Sequence, residues 1–268
     1  MRTILNMDVA DVIAKTFKVC NTEGEEVTFK ANAAQLAFES KADRYKRHII
    51  MKSRQQGMTT WIVARHLLFS LANPDHVSVS LMQSAEAAEH VSHMAARMLD
   101  SADVHYIRSH RRISMENGSS YYTFSAQHNF PRGESITINN LHISELSRWD
   151  TRWADNLDSA RAFLSRACEE VVESTPYQIG DLFYREWESA VERRVIRHFF
   201  PWWMGDKNEA LEAAIKSTLT DEECGLIVRE GLSLKQITQR RKIRQIGPDA
   251  MIDCMYLEEV PWNKKKGN

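Results

Sequence analysis

The stretch Lys52-Ser-Arg-Gln-Gln-Gly-Met-Thr-Thr60 decides how the rest of the chain is read. The apolar run His48-Ile-Ile-Met51 precedes it, and Val63, Leu67 and Leu71 follow at helical spacing, so it joins a strand to a helix. A loop that cradles phosphates needs such a junction, with a tight turn, inward-facing backbone amides and a helix N-terminus whose dipole attracts the anion. It also needs a hydroxyl for magnesium and a cation for the outer phosphates. Gly57 supplies the turn, Thr59 the hydroxyl, and Lys52 and Arg54 the cations at the front of the loop. Met58 stands where a lysine usually precedes the hydroxyl, and Lys52 stands at the first position in place of glycine. Taken by itself, the stretch also reads as a strand–turn–helix junction with an incidental glycine.

Outward from the loop, the pattern alternates. Asn73-Pro-Asp75 stops the helix, and His76 to Met82 alternates like a strand. Ser84 is placed to cap an Ala-rich helix reaching Leu99. Ile113–Met115 and Tyr121–Phe124 flank Asn117-Gly118, a hairpin signal. Ile136–Ile143 reads as a strand, Trp153–Ala167 as a helix, and Val171-Val172 as part of another strand. A loop from Ser174 leads to a helix around Trp187, and Val195–Phe200 is the last strand. Such alternation predicts an α/β fold with right-handed crossovers and a mainly parallel sheet flanked by helices. After Pro201 the composition shifts. Glu209–Ser217 reads as helical, and Thr220-Asp-Glu-Glu223 and Ser233-Leu-Lys-Gln236 are capping boxes that open helices. The expected division is a core over 1–204 and a small helical subdomain over 205–268.

Composition sets limits on function. The 268 residues carry 35 Lys+Arg against 36 Asp+Glu, a formal net charge of −1, which excludes a histone-like or ribosomal-type basic protein. A basic face balanced by acidic surface elsewhere stays open. The four cysteines have no zinc-like or redox spacing and are expected to be reduced and mostly packed. No secretory signal is read at the N-terminus and no apolar run approaches ~18 residues, so the expectation is a soluble, cytoplasmic protein without a membrane span.

Three further motifs bear on chemistry. Asn140-Leu-His-Ile-Ser-Glu145 ends a strand in an acidic residue, where catalytic ATPases place an Asp for magnesium and a Glu for water. Here Ser144 takes the first place and only Glu145 is acidic. Val171-Val-Glu-Ser-Thr175 ends another strand in two hydroxyl residues, and Phe130-Pro-Arg-Gly133 lies upstream of the Glu145 strand.

In order, Lys52-Ser-Arg-Gln-Gln-Gly-Met-Thr-Thr60, Arg132-Gly133, Leu141-His-Ile-Ser-Glu-Leu-Ser-Arg-Trp149 and Val172-Glu-Ser-Thr175 resemble the ATPase domain of the large terminase subunit of tailed bacteriophages. Phe200-Pro-Trp202, Gly231 to Gln236 and Tyr256 to Pro261 extend the resemblance over nearly the whole chain. It implies an ASCE-type P-loop NTPase with a helical lid, using ATP and Mg²⁺ to drive double-stranded DNA into a procapsid.

The resemblance also implies roles. Lys52 would contact the β/γ-phosphates, with Ser53, Gln55, Gln56, Gly57 and Met58 forming the rest of the loop. Arg54 would stabilise the phosphoryl charge, and Thr59 would ligate Mg²⁺, assisted by Thr60. Glu145 would polarise the attacking water, with Ser144 in the outer magnesium shell. Ser174 and Thr175 would sense the γ-phosphate, Arg132 would act on a neighbouring subunit's nucleotide, and Gln35 matches an adenine-reading position whose alternative is an exposed helix residue.

Implied partners are a portal protein, a small terminase subunit and further copies in a pentameric ring, acting in the host cytoplasm and transiently on the procapsid. The chain stops just after the run-in to the family's nuclease domain and has no two-metal acidic cluster elsewhere. The expectation is therefore a motor without nuclease activity, the nuclease being removed or carried by a separate chain. Arg108–Arg112 and Gln239–Arg244 are candidate DNA-facing clusters, or simply solvated faces. Met58 and Ser144 each remove a charge from the usual site, which keeps two alternatives in view: a weakly active or inactive nucleotide-binding remnant, and another helicase-like P-loop ATPase.

Overall fold

The computed structural model describes residues 8–21, 23–127, 136–201, 218–234, 236, 237, 240 and 241. The chain opens with helix α1 (Val9–Thr16), capped by Asp8, and a two-stranded hairpin of β1 (Lys18–Cys20) and β2 (Glu26–Thr28). Helix α2 (Ala33–Ala42), strand β3 (Arg47–Lys52) and helix α3 (Met58–Ala72) follow. Next come β4 (Val77–Met82), α4 (Ala85–Ser101), β5 (Tyr106–Arg108), β6 (Arg112–Met115), β7 (Ser120–Ser125) and β8 (Ile138–Ser144). The remainder is two 3-10 turns (Leu146–Arg148 and Thr151–Trp153), α5 (Ala154–Arg161), β9 (Leu164–Ser174), α6 (Leu182–Glu188), β10 (Ile196–Phe200) and α7 (Asp221–Glu230).

Eight strands form one sheet in the order β10-β3-β9-β8-β4-β7-β6-β5. The six from β10 to β7 are parallel, and β6 and β5 are added antiparallel at one edge. The expected α/β architecture with a mainly parallel sheet is therefore observed. Strand β9 lies between β3, which feeds the Lys52 loop, and β8, which ends at Ser144. The loop and Glu145 therefore come from strands that are not neighbours.

The sheet divides the core in two. Ile50, Val171, Met82 and Tyr121 point to one face and pack with Ile13 and Phe17 of the N-terminal segment, Phe38 of α2, Trp61 and Ile62 of α3, and Val91 and Leu99 of α4. Ile49, Met51, Val79, Leu141, Ile143 and Val172 point to the other, against Leu157 of α5 and Phe183 and Trp187 of α6. This is the period-two division of a sheet covered on both faces. The face under α3 is nonetheless rich in polar groups: Ser78 and Ser80 on β4, Asn140, His142 and Ser144 on β8, and Glu169 and Glu173 on β9 are all buried. Buried polar groups persist only when partnered. Arg65 of α3 forms a bidentate pair with Glu169 and also reaches Glu39 of α2, while Asn140 donates to Ser78.

Two expectations change. The helix expected over Trp153–Ala167 is shorter, because α5 ends at Arg161 and β9 begins at Leu164. Leu164 to Ala167 extend a strand 11 residues long whose start pairs with Ile138 of β8. Sheet hydrogen bonding overrides a helix-compatible pattern there. Of the three described cysteines, only Cys168 is buried; Cys20 and Cys224 are free and exposed, against the expectation of mostly packed thiols. The Asn117-Gly118 hairpin is present between β6 and β7, with Gly118 at φ 83°. The capping box at Thr220 opens α7, and Ser233 and Gln236 exchange reciprocal hydrogen bonds. The segment Glu209–Ser217 lies outside the described residues. Among the described residues, no helix is long and apolar enough to cross a membrane.

Candidate nucleotide-binding site

Strand β3 delivers Lys52 to the C-terminal edge of the parallel strands. The loop that follows is held on both flanks. Ser53 N donates to Phe200 O at 3.1 Å, beside the end of β10, and the Gln56 carboxamide donates to Ser53 Oγ at 2.8 Å and Pro201 O at 2.7 Å. From the other side, Asn32 Nδ2 donates to Gln56 O and Gln35 Nε2 to Gly57 O, each at 3.0 Å. Asn32 and Gln35 form the capping box of α2, so one N-terminal motif both starts that helix and braces the loop.

Gln55 and Gly57 adopt left-handed φ values of 61° and 67°. Helix α3 begins at Met58 with no side-chain cap and no acidic residue in its first turn. The N–H groups of that turn have no intrahelical acceptors, and the helix dipole makes the position favourable for an anion. Met58, standing where a lysine is usual, is 1% exposed and packs in the core under α3, so the loop's buried cation comes from Lys52 instead. Arg54 and Gln55 are exposed at the loop tip.

Lys52 ends between two carboxylates. Its Nζ lies 2.8 Å from Glu145 Oε1 and 2.9 Å from Glu173 Oε2. Burial opposes the ammonium charge, but the attraction of Glu173 and then Glu145 holds its pKa above the usual lysine value. Glu173 is fully buried. Burial would raise its pKa, yet Lys52 and hydrogen bonds from His142 and Ser144 keep it well below the usual carboxylate range. Glu173 Oε1 accepts from Ser144 Oγ at 2.6 Å and from Thr59 Oγ1 at 2.8 Å, with His142 Nε2 at 3.4 Å. His142 Nδ1 is in turn 3.2 Å from Ser80 Oγ, which is 2.7 Å from Tyr121 Oη. A buried polar chain thus runs from β7 to the loop.

Glu145 has a left-handed backbone at φ 51°, uncommon for a residue with a side chain. Its N–H donates to Glu173 O at 2.8 Å, and its Oε2 accepts from Thr175 N at 3.3 Å. Ser174 Oγ accepts from Ser147 N at 3.1 Å, and Ser147 Oγ donates to Thr175 O at 2.6 Å. The end of β9 and the turn after Glu145 are therefore clamped together.

Lys52, Thr59, Ser144, Glu145, Ser174 and Thr175 lie together at this edge of the sheet. Gln35 is 2% exposed, and its carboxamide is engaged by Asn32 N and Gly57 O. Thr60 points elsewhere, lining a cavity of about 400 Å³ between the β1–β2 hairpin and α4. Arg132 lies outside the described residues. Arg108–Arg112 are exposed at the β5–β6 turn, whereas Arg240 and Arg241 pair with Glu222 and Glu223 at the start of α7.

The residue that spacing alone misses is Glu173. Its signal is a carboxylate inside Val171-Val-Glu-Ser, a strand interior where an ionised group persists only with partners. The donors around Thr59, Ser144 and Glu173 are all hard oxygens, which suits Mg²⁺. Among the described residues, no group of three or more His, Cys, Asp or Glu side chains could hold a metal ion. A divalent ion here would be completed by phosphate oxygens and water.

No family model matches the chain, and no curated protein matches it. Solved structures do. The large terminase of bacteriophage HK97 superimposes with a TM-score of 0.63 at 16% identity, over 93% of this chain and 53% of that one. The Thermus phage P74-26 large terminase ATPase domain gives 0.59 at 12% identity, over 85% of this chain and 93% of that one. A large terminase from a thermophilic bacteriophage, solved in complex with ADP, gives 0.57 at 14% identity over 85% and 53%. The chain spans about half the length of the HK97 protein and of the ADP-bound large terminase, and nearly all of the P74-26 ATPase domain. Over most of its length, the chain has the fold of large terminase ATPase domains.

Proposed function

We propose that this chain is an ATP-hydrolysing motor domain of the viral DNA-packaging type. The observation that carries the reading is the meeting of Lys52, from β3, and Glu145, after β8, beside the uncapped N-terminus of α3. Fold likeness to large terminases supports it, including the thermophilic phage enzyme solved with ADP and with ATP-gamma-S.

The chemistry follows from what the side chains hold. An ATP triphosphate at the α3 N-terminus competes with both carboxylates for Lys52. Once the ammonium turns to the β/γ-phosphates, Glu145 Oε1 becomes a free acceptor for the attacking water, while Thr175 N keeps Oε2 in place. Phosphoryl transfer is catalysed mainly by positioning and by cations meeting spread negative charge. Arg54, at the loop tip, is the second such cation within the subunit, and Arg132 would supply one to a neighbour. Magnesium bound with the nucleotide would neutralise phosphate charge, with Thr59 as ligand and Ser144 reached through water. Ser174 and Thr175 would pass loss of the γ-phosphate to the Ser147 turn. Double-stranded DNA, a portal protein, a small terminase subunit and a ring of copies complete the proposal.

Steady-state ATPase at high protein concentration, with and without double-stranded DNA, tests it. Wild type should turn over, and Glu145→Gln should lose about 10²–10⁴-fold, as expected for removing a general base. Turnover unchanged by Glu145→Gln overturns the assignment. Stimulation by single strands, with strand separation, would instead favour a helicase-like enzyme.

A further inference from the structure

We propose that Glu173 on β9 supplies the magnesium-side carboxylate that Ser144 leaves missing on β8. The proposal rests on the nucleotide-binding reading above and adds a residue to it.

In catalytic ATPases the acidic residue before the catalytic glutamate faces the metal. At that position Ser144 offers a hydroxyl, which can bond a metal-bound water but carries no charge. The charge sits one strand away. Strands β8 and β9 pair in parallel with Ser144 opposite Glu173, so both side chains leave the same face at the same level. Glu173 Oε1 receives the Ser144 hydroxyl at 2.6 Å and the Thr59 hydroxyl at 2.8 Å. Thr59 is the oxygen the loop offers to the metal, and a carboxylate oxygen one hydrogen bond from it lies within the reach of a metal-bound water. Magnesium commonly keeps several waters, and carboxylates hold it through them.

Electrostatics point the same way. Glu145 alone would neutralise Lys52, yet Glu173 is buried beside the same ammonium, so among the described residues two carboxylates share one lysine. Excess buried charge is costly unless a counter-ion arrives. When Lys52 turns to the phosphates, Glu173 keeps, among the described residues, only hydroxyl donors and the His142 ring, and a divalent cation at Thr59 restores the balance.

The test is binding of a fluorescent ATP analogue with and without Mg²⁺, which needs no turnover. Wild type should bind more tightly with the metal. Glu173→Gln should keep metal-free binding but lose about 10–100-fold in the Mg²⁺-dependent gain, the usual effect of removing an outer-shell partner. The double variant Ser144→Asp/Glu173→Gln returns the carboxylate to β8 and should recover that gain. An unchanged Mg²⁺-dependent gain in Glu173→Gln overturns the proposal. Should Glu173→Gln fail to fold, the charge-conserving double variant decides: folded without the gain, it too overturns the proposal. Wild type that binds no nucleotide under either condition overturns the underlying reading, whereas wild type with the gain and Glu173→Gln also with it defeats the proposal alone.

Discussion

Gly57 shows how much one residue can carry. Its φ of 67° lies where an L side chain is strained, and a Cβ there would sit 2.9 Å from Gln35 Nε2. Gly180, at φ 85°, has no atom within 4 Å of the corresponding point. Both glycines to alanine should cost about 1–2 kcal/mol for the left-handed backbone. Gly57→Ala should cost more, because Gln35 must also release Gly57 O. Denaturant midpoints of the two variants, read side by side, check the difference, and equal shifts would refute the contact. At this scale the sequence is legible where a position depends on chain neighbours: the turn at Gly57, Thr59 in the first turn of α3 and Glu145 just after β8 follow from spacing. Glu173 does not, because its partners Thr59 and Ser144 are 114 and 29 residues away.

Strand β4 is legible from its alternating sequence, which ordinarily signals one face in water. Here both faces are buried, and the polar face is covered by α3. Helix α3 makes this tolerable by bringing Arg65 to Glu169, with both residues at most 2% exposed. Breaking a buried pair by deleting one partner typically costs about 3–5 kcal/mol, because the other charge is stranded. Arg65→Ala should therefore lower stability by about that amount, measured by urea unfolding, and Arg65→Met with Glu169→Gln together should cost less. A double variant as damaged as the single one would contradict this account. The shortened α5 has the same origin: residues Leu164 to Ala167 have no local signal that says strand, and the start of β9 is set by its pairing with β8.

Across the whole molecule, the buried histidines make the fold sensitive to acid. Burial pushes the His66 pKa down to about 4 and the His198 pKa to about 3, and lowers those of His48 and His76. The unfolded chain takes up these protons near 6.5 while the folded chain does not, so stability rises with pH through this window and is lost as pH falls. Glu169, held well below the usual carboxylate range against burial by Arg65 and His66, adds a further loss below about 4.5. Each fully neutral histidine contributes up to about 1.4 kcal/mol per pH unit. Melting temperatures followed from neutral pH to about pH 5 should fall steadily. A flat profile would mean that these histidines are protonated in the fold.

The sequence by itself determined the succession of most elements, the strand ends where the candidate site residues gather, and the turn that opens α3, because caps, turns and periodicity act over a few residues. It left the first helices and the β1–β2 hairpin unread. Only the tertiary structure decided the strand order. Hydrogen bonding across the sheet put β9 between β8, about 30 residues earlier in the chain, and β3, more than a hundred residues earlier. That placement, and nothing local to Val171-Val-Glu-Ser, brings Glu173 against Lys52, Thr59 and Ser144.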